Sequence, residues 1–121
     1  MDVNQLCNAF MSHYYAQFNG NRAGLVGLYG ADSLLTLTGE RVQGAANITA
    51  KFQTLPPCQA KPLSCDVQPN PATGGAVIVV NGDLQLSTGA CPKFAETFLI
   101  NPVEGNPGQF YIHNHVYRVQ S

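Results

Sequence analysis

His113, His115 and Tyr117 stand at alternate positions in the stretch IHNHVYRV near the end of the chain. In an extended strand, side chains two apart share a face, so the reading brings two imidazoles and a phenol together. Imidazole titrates near neutral pH and binds metals through either ring nitrogen. Such a set can move a proton in a closed pocket or supply two metal ligands. A metal site needs a third or fourth ligand, and the sequence nominates none. The reading preferred here is plainer: one histidine at the rim of a cavity and one hydrogen-bonded inside it. Ile112, Asn114, Val116 and Arg118 fall on the opposite face of the same strand. His13 reads as a surface position or a cap over a cavity. Cys7, Cys58, Cys65 and Cys91 form neither a CxxC pair nor a zinc-ligand spacing. They read as reduced thiols, mostly buried as small apolar groups.

The elements that position these residues alternate between helix and sheet. Asp2 and Gln5 have the spacing of a capping box, which starts a helix at Val3. Val3, Leu6, Phe10, Tyr14 and Phe18 recur at helical steps, and Asn19-Gly20-Asn21 ends the run. Asn21 can cap a second, short helix with Leu25, Leu28 and Tyr29 on its apolar side, closed by Gly30. Leu34 to Thr38 reads as a strand with its turn at Gly39-Glu40. A third helix begins near Gly44, carries Ile48, Phe52 and Leu55 on one face, and is stopped by Pro56-Pro57.

The second half alternates as sheet. Leu63, Cys65 and Val67 share one face; Ser64, Asp66 and Gln68 share the other. A loop follows at residues 69–75, and Ala76 to Leu86 reads as the longest strand. A turn at Ser87 to Pro92 leads to a strand over Phe94 to Ile100. Asn101 to Gly108 reads as a loop, and Phe110 to Gln120 as the last strand. No repeat or linker breaks the 121 residues, so the expectation is a single domain over 1–121.

Composition bounds the function. Only 11% of residues are charged and the net charge is -1, which excludes a basic nucleic-acid footprint. No apolar run is long enough to span a bilayer, and MDVNQLCNAF lacks the marks of a signal peptide. With 45% hydrophobic residues, so few charges leave apolar surface for a partner to cover.

The order of HYYAQF (13–18), NRAGLVGLY (21–29), LTLTGERVQG (35–44), DVQP (66–69), VNGDLQL (80–86) and HNHVYR (113–118) resembles the nuclear transport factor 2 family along nearly the whole chain. The resemblance implies an α+β fold: a cone-like bent antiparallel sheet wrapped around three helices, the roll also called cystatin-like. It implies an open apolar cavity and a homodimer made through the sheets. It further implies a non-enzymatic carrier without a cofactor, which binds the GDP form of the small GTPase Ran and the Phe-Gly repeats of nucleoporins. Such a carrier works in cytoplasm and nucleus, concentrated at the nuclear pore. The wider superfamily also holds ketosteroid isomerases and dehydratases that use the cavity for catalysis, and fold alone does not choose between these.

Residue by residue, the resemblance matches Leu37, Thr38 and Gly39 to the family's aromatic–glutamate–glycine turn at the Ran site. It matches the turn Ser87 to Pro92, with Gly89 inside it, to a hairpin loop that carries a second acid. This chain has no carboxylate at Thr38 or in STGACP; Glu40, Asp83 and Glu96 stand as substitutes. Leu37, Leu55, Phe94 or Phe98, His115 and Tyr117 are expected around the cavity, with His115 where the family usually has aspartate. Val77, Val79, Asn81 and Val116 are expected at the dimer face. Val3, Tyr14 and Phe18 are expected near the repeat-binding groove, where the family has a tryptophan and this chain has none.

Overall fold

The structure, a computed structural model, describes residues 2–120. Helix α1 spans Val3–Asn19. The Asp2 carboxylate accepts from the Gln5 backbone N–H at 2.9 Å and the Gln5 side chain returns the bond to Asp2 N–H at 3.2 Å. Two of the N–H groups that a helix start leaves unpaired are thereby satisfied. The apolar stripe of α1 is wider than expected: Cys7 and Tyr15 are buried beside Tyr14 and Phe18. A 3₁₀ helix follows over Arg22–Leu28, capped by the Asn21 side chain. It ends before Tyr29, so Gly30 lies inside the next strand rather than closing the helix.

Strand β1 covers Tyr29–Leu37 and turns at Thr38-Gly39 into β2, Glu40–Gln43, a short strand that the sequence pattern did not announce. Gly44 then caps α2, Ala45–Gln53. The rest of the chain is four long strands: β3 Cys58–Asn70, β4 Gly75–Leu86, β5 Lys93–Val103 and β6 Asn106–Gln120. β6 is longer than β4, and the stretch 101–108 expected as a loop is a β5–β6 hairpin turning at Glu104-Gly105. The six strands form one curved sheet in the order β2-β1-β6-β5-β4-β3. Pairing is antiparallel except between β1 and β6, which run parallel.

The core lies between the helices and the inner face of the sheet. Tyr14 and Phe18 of α1, Leu25, Ile48 and Phe52 pack on Leu35, Ile78, Phe94, Phe98 and Tyr117. Arg22 locks the helical layer. Its guanidinium donates to the carbonyls of Phe52, Leu55 and Pro56 and to the Cys58 sulfur, satisfying carbonyls that α2 leaves open at its C-terminus.

Two bulges change which side chains face the core. In β3, Pro62 pairs with Gly82 but Ser64 pairs with Asn81, so Leu63 is an extra residue. Leu63 is 66% exposed, and it does not share the inward face with Cys65 and Val67. In β6, Ile112 pairs with Ile100 but Asn114 pairs with Leu99, so His113 is extra. The alternation resets there, and Ile112, not His113, shares the buried face with His115 and Tyr117.

Candidate functional site

The β1–β2 turn, the end of α2 and the start of β3 enclose an open cleft of about 430 Å³. Its wall is apolar: Leu37, Leu55, Pro56, Leu84, Leu86 and Val119. Glu40 and Lys51 stand in its lining and pair at 2.5 Å, with Glu40 70% exposed. Thr38 also lines the cleft, and its φ of 44° is a left-handed conformation that a β-branched residue rarely takes. Two bonds hold it there. Thr38 N–H donates to the Tyr117 carbonyl at 2.8 Å, and Val119 N–H donates to Thr38 Oγ1 at 3.2 Å. The turn is therefore docked on the end of β6. Gly39, with φ 93°, supplies the other left-handed residue of that tight turn but does not line the cleft.

The other residues expected around this cleft divide. Ser87 and Gly89 line a shallower groove with Pro57 and Gln59, which shares Cys58 and Leu86 with the cleft. Phe94, Phe98, His115 and Tyr117 do not line it. They are at most 2% exposed and form the floor of the core below. Phe98 and His115 stack with ring centres 4.2 Å apart.

His113 and His115 do not act together. The bulge turns His113 to the opposite side, where its Nδ1 sits 3.1 Å from the Tyr111 hydroxyl. His115 instead joins a sealed network. Its Nε2 lies 2.7 Å from Glu96 Oε1, and its Nδ1 lies 2.9 Å from the Tyr29 hydroxyl. Glu96 also accepts from the Tyr14 hydroxyl at 3.5 Å and from the Tyr15 hydroxyl in a short contact. Burial first, and the Glu96 charge second, hold the Tyr14, Tyr15 and Tyr29 hydroxyls well above the usual phenol range. They stay protonated, so the Tyr14 and Tyr15 hydroxyls donate to the carboxylate. Which atom donates between Tyr29 and Nδ1 follows the imidazole tautomer, and a ring with its proton on Nε2 would donate to Glu96 and accept from Tyr29.

A glutamate is rarely buried unless paired, so the sequence offers Glu96 only as a stand-in for the acid missing from the cleft. At 2% exposure it cannot meet a partner protein. Its inward direction was readable: Phe94, Glu96 and Phe98 alternate in β5, so the carboxylate had to face the same side as two phenylalanines. Tyr117 carries a hydroxyl that is buried and finds no partner among the described residues. No cluster of three or more metal-ligating side chains occurs among the described residues.

On the far side of the sheet, Val79, Thr97 and Val116 stand in one row across β4, β5 and β6. Val79 is 39% exposed and Val116 52%; Val77 and Asn81 flank Val79 on the same outer face. Tyr14 and Phe18, expected near a surface groove, are 0% and 1% exposed. They are core residues, because α1 turns its aromatic stripe onto the sheet. Val3 is half-buried at the start of α1.

A bent six-stranded sheet with helices on one face and an apolar cleft at their edge defines a nuclear transport factor 2-like protein. Residues 6–119 match the family model for the nuclear transport factor 2 domain. Nuclear transport factor 2B of Arabidopsis thaliana is 37% identical over 122 aligned residues, covering 98% of this chain and 95% of that protein. The solved structure of nuclear transport factor 2 from Cryptosporidium parvum superposes with a TM-score of 0.88 at 34% identity, covering 99% of both chains. The Candida albicans Mtr2–Mex67 M domain complex shares the fold, with a TM-score of 0.85 at 15% identity. The chain belongs to the nuclear transport factor 2 family.

Proposed function

We propose that the protein is a carrier of nucleocytoplasmic transport. It binds Ran-GDP at the mouth of the apolar cleft and Phe-Gly repeat nucleoporins on its surface, and it works as a homodimer through the outer sheet face. The observation that carries this reading is the cleft itself. It is open and apolar, with Glu40 in its lining, while the acid–base set of Glu96 and His115 is closed off from it. A mostly apolar pocket, cut off from the Glu96–His115 pair and with its Glu40 held by Lys51, suits binding better than turnover. Full-length similarity to proteins named nuclear transport factor 2 supports the same role. No cofactor, nucleic acid or membrane insertion enters this reading, and its place is cytoplasm and nucleus, at the pore.

In this reading Leu37, Thr38, Leu55 and Glu40 receive Ran, with Gly39 shaping the turn and Ser87 and Gly89 at the adjoining groove. Val77, Val79, Asn81 and Val116 make the dimer contact. Val3 is the member of the groove trio that reaches the surface.

One observation favours a second reading. Thr38 and the turn STGACP lack carboxylates, and a desolvated charge pair lost from an interface costs about 2–5 kcal/mol. A diverged dimeric module that takes another protein would tolerate that loss. Calorimetric titration with Ran loaded with GDP and, separately, with GTP decides between them. Heat of binding with the GDP form alone supports the carrier. A folded dimer that binds neither form supports the diverged module.

A further inference from the structure

Cys7 and Cys65 are 58 residues apart in sequence, yet their sulfurs are 3.3 Å apart. Cys7 sits in the buried stripe of α1 at 5% exposure, and Cys65 is exposed on β3. β3 is an edge strand of the sheet, and Cys65 is an exposed residue on it. The bulge at Leu63 creates the meeting. Ala60 pairs with Leu84 and Pro62 with Gly82 on the inner face; after the extra residue, Cys65 pairs with Val80 and inherits that face. Without the bulge, Cys65 would point away from α1.

The two elements are also fixed against each other. Asn19 at the end of α1 donates to the Ala60 carbonyl at 3.1 Å and accepts from Ala60 N–H at 2.8 Å, while Gln59 donates to the Asn19 carbonyl at 3.0 Å. These bonds anchor the end of α1 to the start of β3, and further along the same two elements the thiols lie side by side. A disulfide needs its sulfurs at about 2.05 Å, a small closure from 3.3 Å.

We propose that Cys7 and Cys65 are a reversible modification site, which closes to a disulfide by exchange with a low-molecular-weight disulfide such as oxidised glutathione. The Cys65 thiolate attacks one glutathione sulfur, forms a mixed disulfide and releases one glutathione thiolate. The Cys7 sulfur then attacks Cys65, the bond to glutathione breaks, and a second glutathione thiolate leaves. The two protein thiols are oxidised, one glutathione disulfide is reduced to two thiols, and the two protein protons pass to the leaving groups. The order is set by access and by acidity. Burial first, and the neighbouring Cys65 sulfur second, push the Cys7 thiol up to about 12, so Cys7 resolves rather than initiates. The closed bond ties α1 to the edge strand across a long loop, which narrows the unfolded ensemble and stabilises the fold.

The test is titration of the folded protein with oxidised glutathione, in a Cys91→Ser background that removes the other exposed thiol, followed by non-reducing peptide mass spectrometry. The Cys7 and Cys65 peptides are expected to become linked, with no glutathione retained and Cys58 free. The linked form is expected to melt at a higher temperature, and dithiothreitol to reverse the shift. Adding Cys7→Ser is expected to trap glutathione on Cys65. Adding Cys65→Ser is expected to leave Cys7 unmodified. If the Cys7 variant does not fold, the map of the parent still decides. Glutathione accumulating on Cys65 beside a free Cys7, a link from Cys65 to Cys58, or an unreacted Cys65 would each overturn the proposal.

Discussion

The Glu96 carboxylate and the His115 imidazole meet at 2.7 Å across β5 and β6, and neither side chain reaches solvent. Removing one partner leaves the other's buried polar group stranded, which is costlier than losing the bond itself. His115→Ala strips Glu96 and Tyr29 of a hydrogen-bond partner each and Phe98 of its stacked ring. A loss of about 3–5 kcal/mol is expected, read by urea denaturation. A loss below ~1 kcal/mol would show that the network contributes little to stability.

Tyr117 presents the opposite case. Its hydroxyl is buried without a partner among the described residues, a situation that costs about 1–3 kcal/mol. Tyr117→Phe keeps the ring stacked on Phe94 and Phe18. It should leave stability unchanged or raise it by ~1 kcal/mol. Tyr29→Phe, which removes the hydrogen-bond partner of His115 Nδ1, should lower stability by a similar amount. A differential scan of both variants against the parent compares them directly.

Alkaline pH should unfold the protein through its phenols. Burial raises Tyr14, Tyr15, Tyr29 and Tyr117 in the folded state, whereas the unfolded chain loses those protons near pH 10. Above that value the unfolded state binds fewer protons, so stability falls as pH rises. Below it, the contribution of these four groups is constant. Phenolate absorbance from these tyrosines should appear together with the loss of secondary structure, not before it. Ionisation of all four in a chain that keeps its native circular dichroism would contradict their burial.

The row Val79–Thr97–Val116 allows a sharp test of the proposed dimer face. Val79→Glu would place a carboxylate on each side of a two-fold contact, where like charges meet in a desolvated seam. Sedimentation should show a monomer with unchanged circular dichroism. A dimer of parental mass would move the contact to another surface.

Glu40 lies beside the apolar wall of the cleft and is held by Lys51. That exposed pair adds little to stability, so Glu40→Gln should fold normally. If Glu40 meets a basic group of Ran, the substitution should weaken binding by about tenfold and flatten its salt dependence. Calorimetry at two ionic strengths reads both effects.

Helices were the most legible part of this chain, because their signals are local. Asp2 and Gln5 announced α1, and Pro56-Pro57 set a limit that α2 respects. The sheet was legible in parity but not in phase. A single extra residue at Leu63 or His113 reverses every assignment on one side of it, and no local composition marks either bulge. Hence the supposed pair His113 and His115 came apart, and Cys65 met Cys7 unforeseen. Tyr14 and Phe18 were visible as a helical stripe, but their depth depended on Phe98, Tyr117 and Phe52, which lie 34 to 99 residues away in sequence. Glu96 was a different kind of miss, since parity alone pointed it inward between two phenylalanines.

The parallel pairing of β1 with β6 sets an order of events during synthesis. β6 sits in the interior of the sheet, between β1 and β5, although it comes last of the six strands along the chain. A ribosome delivering the chain has already released the β1–β2 hairpin and the β3–β4–β5 meander before β6 emerges. Until then the two pieces share no strand edge, and each exposes a side that can pair with another chain. Nascent molecules are therefore most vulnerable to aggregation just before β6 arrives, and a chaperone that shields the free edges of β1 and β5 would protect them at that moment.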